Sequence, residues 1–170
     1  MLKRANKLVR ALLLSAAVLF GMASAQQIPI GVLLPLTGGG APDGPFLRNA
    51  AQLAIDEVHD MLAAAGNPLT FNLIMEDDRT TPEGGLEAIE SVVNAGARVV
   101  ISSYSSAATS GARAYANANE IHMIAAAATS PALAIPDDWL YRLITPDTLQ
   151  ATAAAQLLAE EGIDHLVVLH

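Results

Sequence analysis

From residue 28 onward, short apolar runs alternate with longer stretches in which apolar positions recur at helical spacing. Ile28 to Leu36 is a continuous apolar run ended by Thr37-Gly38-Gly39-Gly40, the pattern of a buried parallel strand followed by a turn. Between Pro45 and Ala65, Phe46, Ala50, Leu53, Ala54, Val58, Met61 and Leu62 recur every three or four positions. Arg48, Gln52, Asp56, His59 and Asp60 take the other faces, which predicts an amphipathic helix. Thr70 to Met75 alternates as a strand. Thr80 to Glu83 reads as a capping box with Pro82 in the first turn, opening a helix through Leu86, Ile89 and Val93 that Gly96 closes.

The pattern then repeats. Arg98 to Ile101 predicts a strand, Ser105 to Asn119 an alanine-rich helix, and Ile121 to Ile124 another strand. After a loop containing Pro131 and Pro136, Trp139 to Ile144 is a short extended segment. Thr145-Pro146 starts a helix running to Gly162, and His165 to Leu169 is a last predicted strand. Five or six strand–helix units in this order predict a doubly wound α/β fold around a parallel sheet. A parallel strand needs a crossover helix and cover on both faces. The last strand has neither, so the pattern is that of the opening of a larger, truncated unit.

Residues 1–25 depart from this periodicity. Lys3, Arg4, Lys7 and Arg10 form a basic leader, Ala11 to Gly21 an apolar run, and Ala23-Ser24-Ala25 a small-residue cleavage site, which together predict a signal peptide removed before Gln26. The apolar run is well short of the ~20 residues that span a bilayer. No cysteine follows it to carry a lipid. The expected product is exported, periplasmic or secreted, and without a stable membrane anchor. Five arginines then stand against 17 acidic residues, a formal charge of −12 over residues 26–170. Such a surface repels nucleic acid and anionic lipid. Without cysteine there is no disulfide framework, and His59, His122, His165 and His170 show no metal-ligand spacing, so neither a metal nor another cofactor is expected.

Two stretches carry the candidate chemistry: Ser102-Ser103-Tyr104-Ser105-Ser106, and Ala125 through Ala128 with Thr129-Ser130-Pro131. Each lies just past the carboxyl end of a predicted parallel strand, where open α/β sheets bind ligands. Free N–H groups at the start of the following helix favour an anion such as a carboxylate. By residue type alone, Ser105 or Ser106 serves as readily to cap that helix, and Thr129 as a turn residue. Tyr104 is expected to be a packed wall of the cleft. Asp77 and Asp78, ending a strand, are expected to cap or solvate a loop. Gly38 to Gly44 does not give the G-x-G-x-x-G fingerprint and no G-x-S-x-G elbow is present, so no catalytic residue is expected; His122 is expected in the core or the cleft wall.

The ordered set Ile30-Gly31-Val32-Leu33-Leu34-Pro35-Leu36-Thr37-Gly38, Gly44, Asn49 to Ala54, Glu76-Asp77-Asp78, Ser103 to Ser106 and Ala127 to Pro131 resembles the first part of a type I periplasmic binding protein. Within that group it is most similar to the leucine/isoleucine/valine-binding branch that feeds ABC transporters. The resemblance implies a two-lobed binder that closes by a hinge on an amino acid or similar small carboxylate and delivers it to a membrane permease. It divides the chain into a signal peptide (1–25), a first lobe (26–144) and the opening segment of the second lobe (145–170). It assigns Ser106 to the ligand carboxylate through hydroxyl and N–H, Ala127 to the ammonium through its carbonyl, and Thr129 to both, with Ser105 and Tyr104 beside them. A ligand-sensing receptor domain is the alternative, and an exported α/β enzyme the remoter one. The chain departs from the pattern at Asp43, where many relatives carry an aromatic residue; at Ser102-Ser103, in place of glycine-proline; and between Met61 and Leu69, without the usual glycine-rich turn. A carboxylate near the side-chain pocket suits a polar or cationic ligand.

Overall fold

The computed structural model describes residues 27–102 and 104–167. The predicted signal peptide lies outside them. Five strands, β1 (Gln27–Leu34), β2 (Thr70–Asp77), β3 (Val99–Ser102), β4 (His122–Ala125) and β5 (Leu140–Arg142), pair in parallel in the order β2-β1-β3-β4-β5. Four helices connect or follow them: α1 (Gly44–Ala64), α2 (Pro82–Asn94), α3 (Ser106–Ala118) and α4 (Asp147–Glu160). The doubly wound α/β fold read from the periodicity is therefore the fold observed.

The order is set by right-handed crossovers. α1 carries the chain from β1 out to β2 across one face of the sheet. α2 and α3 carry it back across the other face to β3 and β4. Alternate residues of β1 accordingly point to different layers. Leu33 is buried with Ile89, Val92, Val100, Ala112 and Met123 in the core beneath α2 and α3. Val32 and Leu34 face α1, where they line an apolar groove of about 260 Å3 with Leu47, Ala50, Ala54 and Ile101.

Helix ends follow local chemistry. Thr81 N-caps α2, its hydroxyl accepting the Gly84 N–H at 3.0 Å, so the cap falls one residue later than the predicted capping box. Thr80 cannot take that role because its backbone is left-handed at φ 61, whereas the cap position is extended, as it is at Thr81; its hydroxyl instead accepts the Gly40 N–H at 2.9 Å. Gly96, at φ +107, terminates α2 as predicted: its N–H reaches the Val93 carbonyl and that of Ala97 the Val92 carbonyl.

The end of the chain departs from the prediction. Residues 163–167 are irregular and exposed rather than the first part of a sixth strand, while 168 and 169 lie outside the described residues. The physical reason lies in α4, none of whose residues is buried. A helix that does not pack on the sheet cannot deliver the segment after it to the sheet edge.

Candidate functional site

The loops leaving β1 and β3 turn to opposite sides at the point where the strand order reverses, and such a switch point opens a crevice at the carboxyl edge of the sheet. Both hydroxyl-rich stretches end up there. Ser105, extended at φ −70 and ψ 109, N-caps α3 with its hydroxyl accepting the Ala108 N–H at 3.2 Å. Ser106, one residue on, is half-buried and does something different. Its hydroxyl accepts the Ser130 N–H at 3.2 Å, joining the start of α3 to the loop after β4. A hydroxyl has one donor and two acceptor sites, so this bond leaves the donor capacity of the Ser106 O–H unused.

Around that bond the second stretch is firmly placed. The Ala126 N–H extends the sheet ladder to the Ser102 carbonyl at 3.2 Å. Ala128 is buried and Ala127 exposed. Thr129 is half-buried, and its carbonyl accepts the Asp147 N–H at 3.0 Å, which fixes the start of α4 to this loop. The Ser130 carbonyl accepts from the Arg142 guanidinium at 3.0 Å. The structure thus brings Ser106 together with the loop that carries Ala127 and Thr129. Ser105 flanks this corner as a cap.

Tyr104 is half-buried, with its hydroxyl against Gly40 of the loop after β1 and near the Asp43 and Asp78 carboxylates. Burial, then Asp43, then the Asp78 charge all favour the neutral phenol and push its pKa above the ordinary value. Gly40 lies directly against this hydroxyl and that of Thr80, so a Cβ there would overlap both. His122 departs from its expected place: it is exposed and begins β4, at the sheet edge opposite the crevice, with its ring edge-on to Trp139 at 4.8 Å.

Asp77 and Asp78 cap loops as their place at a strand end predicts, but the partners through which they stiffen the crevice floor are not visible in the sequence. Asp77 Oδ1 accepts from the Leu36 N–H at 2.9 Å, the Thr37 N–H at 3.0 Å and the Arg79 N–H at 2.9 Å, while Oδ2 accepts from the Thr37 hydroxyl. Asp78 is fully buried and accepts from the Thr80 N–H at 2.8 Å. These bonds hold Arg79 and Thr80 at φ 50 and 61, left-handed conformations that each cost a non-glycine residue on the order of 1 kcal/mol. Buried Ser102 pairs with buried Thr109 of α3. Aspartate pairs at a strand end are the visible signal for such loop clamps, but the partners some 40 residues away are not.

Among the described residues no group of three or more histidine, aspartate or glutamate side chains is placed to hold a metal, and no helix is long and apolar enough to cross a membrane. The family model described as periplasmic binding protein matches residues 27–170. The chain belongs to the periplasmic binding protein family. A Leu/Ile/Val-binding protein homolog 1 from Brucella abortus is 27% identical over 159 residues, covering 92% of this chain and 42% of its own. Two solved structures share the fold. The branched-chain amino acid transporter substrate-binding protein LivJ of Streptococcus pneumoniae, in complex with isoleucine, superimposes with a TM-score of 0.70 at 24% identity over 80% of this chain and 39% of its own. A solute-binding protein of an ABC transporter from Rhodopseudomonas palustris, in complex with 3,4-dihydroxybenzoic acid, does so with a TM-score of 0.69 at 22% identity, over 81% and 37%. The branch of periplasmic binding proteins read from the sequence is thus the one the relatives return. The chain spans about two fifths of the length of the curated relatives it matches. The Brucella abortus relative and the two solved structures are named for binding solutes rather than for catalysis.

Proposed function

We propose that this chain supplies the first lobe, residues 26–144, of an exported solute-binding protein that captures an amino acid or similar small carboxylate for an ABC importer. Residues 145–170 open the second lobe in this reading. One observation carries it: the bond between the Ser106 hydroxyl and the Ser130 N–H, which gathers Ser106, Ala127 and Thr129 at one corner of the crevice.

That corner has the chemistry a zwitterion needs. A carboxylate takes donors, here the Ser106 O–H and the N–H groups at the start of α3, reinforced by the helix dipole. An ammonium takes acceptors, here the exposed Ala127 carbonyl and the Thr129 hydroxyl. Ser105 keeps the first turn of α3 in register by capping it, and Tyr104 walls the side-chain end. The isoleucine and the dihydroxybenzoate held by the two structural relatives are both carboxylates, in keeping with an anion end fixed at α3. Closure is a hinge motion of two lobes with no bond made or broken. The basic leader and small-residue cleavage site support delivery to the periplasm, where the partner is the importer's permease.

The test is Thr129→Ala in the protein its gene encodes, with the co-purified ligand first identified by native mass spectrometry. Calorimetry is expected to show affinity about 10-fold weaker, the loss of roughly one charge-assisted hydrogen bond. The ligand-free unfolding temperature should not move by more than about 2 °C, because the Thr129 contact that holds the loop is made by its backbone. Unchanged affinity would remove Thr129 from the site.

A further inference from the structure

The loop after β4 is held in place by the strand it leads to. β5 lies beside β4 with Arg142 opposite Ala125, and the Leu143 N–H extends that ladder to the Ala125 carbonyl at 3.1 Å. Arg142 shares a face of β5 with Leu140, which is buried in the core with Ala112 and Ala116 of α3. From there its half-buried guanidinium donates to the Ser130 carbonyl at 3.0 Å.

Ser130 is bonded at three groups. Its N–H donates to the Ser106 hydroxyl at 3.2 Å, its hydroxyl accepts the Ala132 N–H at 3.3 Å, and its carbonyl takes the Arg142 bond. The two peptide units that meet at Ser130 differ in how they can be held. The first, from Thr129, is held at both ends: its carbonyl accepts the Asp147 N–H at 3.0 Å and its N–H is bonded to Ser106. The second leads into Pro131, which has no N–H to give, so only its carbonyl can hold it. Arg142 supplies that hold. Without it the second unit can swing and shift Ser130 against Ser106, whose bond at 3.2 Å is already at the long end of the normal range.

Resting on the reading of Ser106 as the carboxylate anchor, we infer that Arg142 is a positioning residue for ligand binding, fixing the Ser106 hydroxyl through Ser130 without touching the ligand. The full-length protein, stripped of bound ligand by unfolding and refolding, is titrated calorimetrically with L-isoleucine, L-glutamine, L-lysine and 3,4-dihydroxybenzoate. The tightest binder of the four is carried through a double-mutant cycle. Ser106→Ala is expected to weaken it about 10-fold and Arg142→Met about 5-fold. Because Arg142 acts through Ser106, the double variant should lose about 10-fold, as Ser106→Ala does alone, where independent residues would multiply to about 50-fold. Arg142→Lys, which keeps the charge but not the planar fork, enters the same cycle if Arg142→Met does not fold. An Arg142 that only braced β5 would lower the ligand-free unfolding temperature and leave affinity within about 2-fold. That result, or fold-changes that multiply, overturns the inference and leaves the binder reading intact. Ser106→Ala without effect, or binding of none of the four, overturns the anchor reading and the inference with it.

Discussion

Replacing Gly111 with leucine is expected to abolish the cooperative folding of the lobe. α2 and α3 touch backbone to backbone: a Cβ at Gly111 would overlap the carbonyl of Pro82, and a Cβ at Gly85 the carbonyl of Ala108. Neither neighbour is the end of a flexible side chain, so the helices themselves must part. Parting them opens the core where Ile89, Val92, Ala112 and Ala116 are fully buried. Even Gly111→Ala, which gains about 1 kcal/mol of helix propensity, should lose more than that to overpacking, for a net destabilisation of about 1–2 kcal/mol. Leucine should cost more than about 4 kcal/mol, most of the margin of a domain stable by roughly 5–15 kcal/mol. Denaturant unfolding monitored by circular dichroism reads the effect. Gly39→Ala, into open space, is the control and should stay within about 0.5 kcal/mol. If Gly111→Ala keeps the wild-type midpoint, the helices are not in backbone contact. The substitution also tests function, because α3 begins at Ser106 and a displaced α3 breaks the Ser106–Ser130 bond.

That helix contact illustrates what the sequence shows and what it hides. β1, β3 and β4 are legible as apolar runs, because strands buried on both faces read as continuous hydrophobic segments, while β2 shows as an alternating stretch and β5 as a short extended one. α1 was legible as a helix, but its apolar positions exceed what a single partner covers. Ile55 is buried against the sheet, whereas Phe46, Leu53 and Met61 stay 73%, 60% and 64% exposed among the described residues. Periodicity identifies a helix without saying which apolar residues find a partner. The cap of α2 fails for a related reason. Thr80 and Thr81 are alike in residue type, and the left-handed backbone that Asp78 holds at Thr80 decides between them. At the site, residue type and position past the strands pointed to both hydroxyl-rich stretches, and only the family resemblance gave Ser106 and Thr129 their ligand roles. The bond from Ser130 to Ser106 joins residues 24 positions apart, and the packing of the Tyr104 hydroxyl on Gly40 joins residues 64 apart, beyond any local pattern.

Asp77→Ala is expected to be the most damaging loss of a single polar side chain, and its cost should depend on pH. The carboxylate accepts four hydrogen bonds from Leu36, Thr37 and Arg79, and thereby pins the turn after β1 to the turn after β2. Hydrogen bonds to a charged group contribute about 1.5–3 kcal/mol each when buried. Asp77 is only half-buried, so water can replace part of this, and a total of about 2–3 kcal/mol is expected. Burial alone would raise its pKa, but the bonds from the Thr37 hydroxyl and the three N–H groups outweigh burial and hold the carboxyl below its ordinary 3.8. The sign follows from linkage. A folded-state pKa below the unfolded one contributes stability in full above the unfolded value, and that contribution disappears as pH falls through the folded one. The stability gap between wild type and Asp77→Ala should therefore be constant from about pH 7 to 5 and close progressively below about pH 4. Denaturant titrations at pH 7, 5, 4 and 3 measure it, and a gap as wide at pH 3 as at pH 7 would show that the side chain acts by shape rather than charge. Because the same turn leads through Gly40, bonded to Thr80, into the start of α1 at the crevice, loosening it should also disturb the crevice, so Asp77→Ala should weaken ligand binding at neutral pH even where the lobe remains folded.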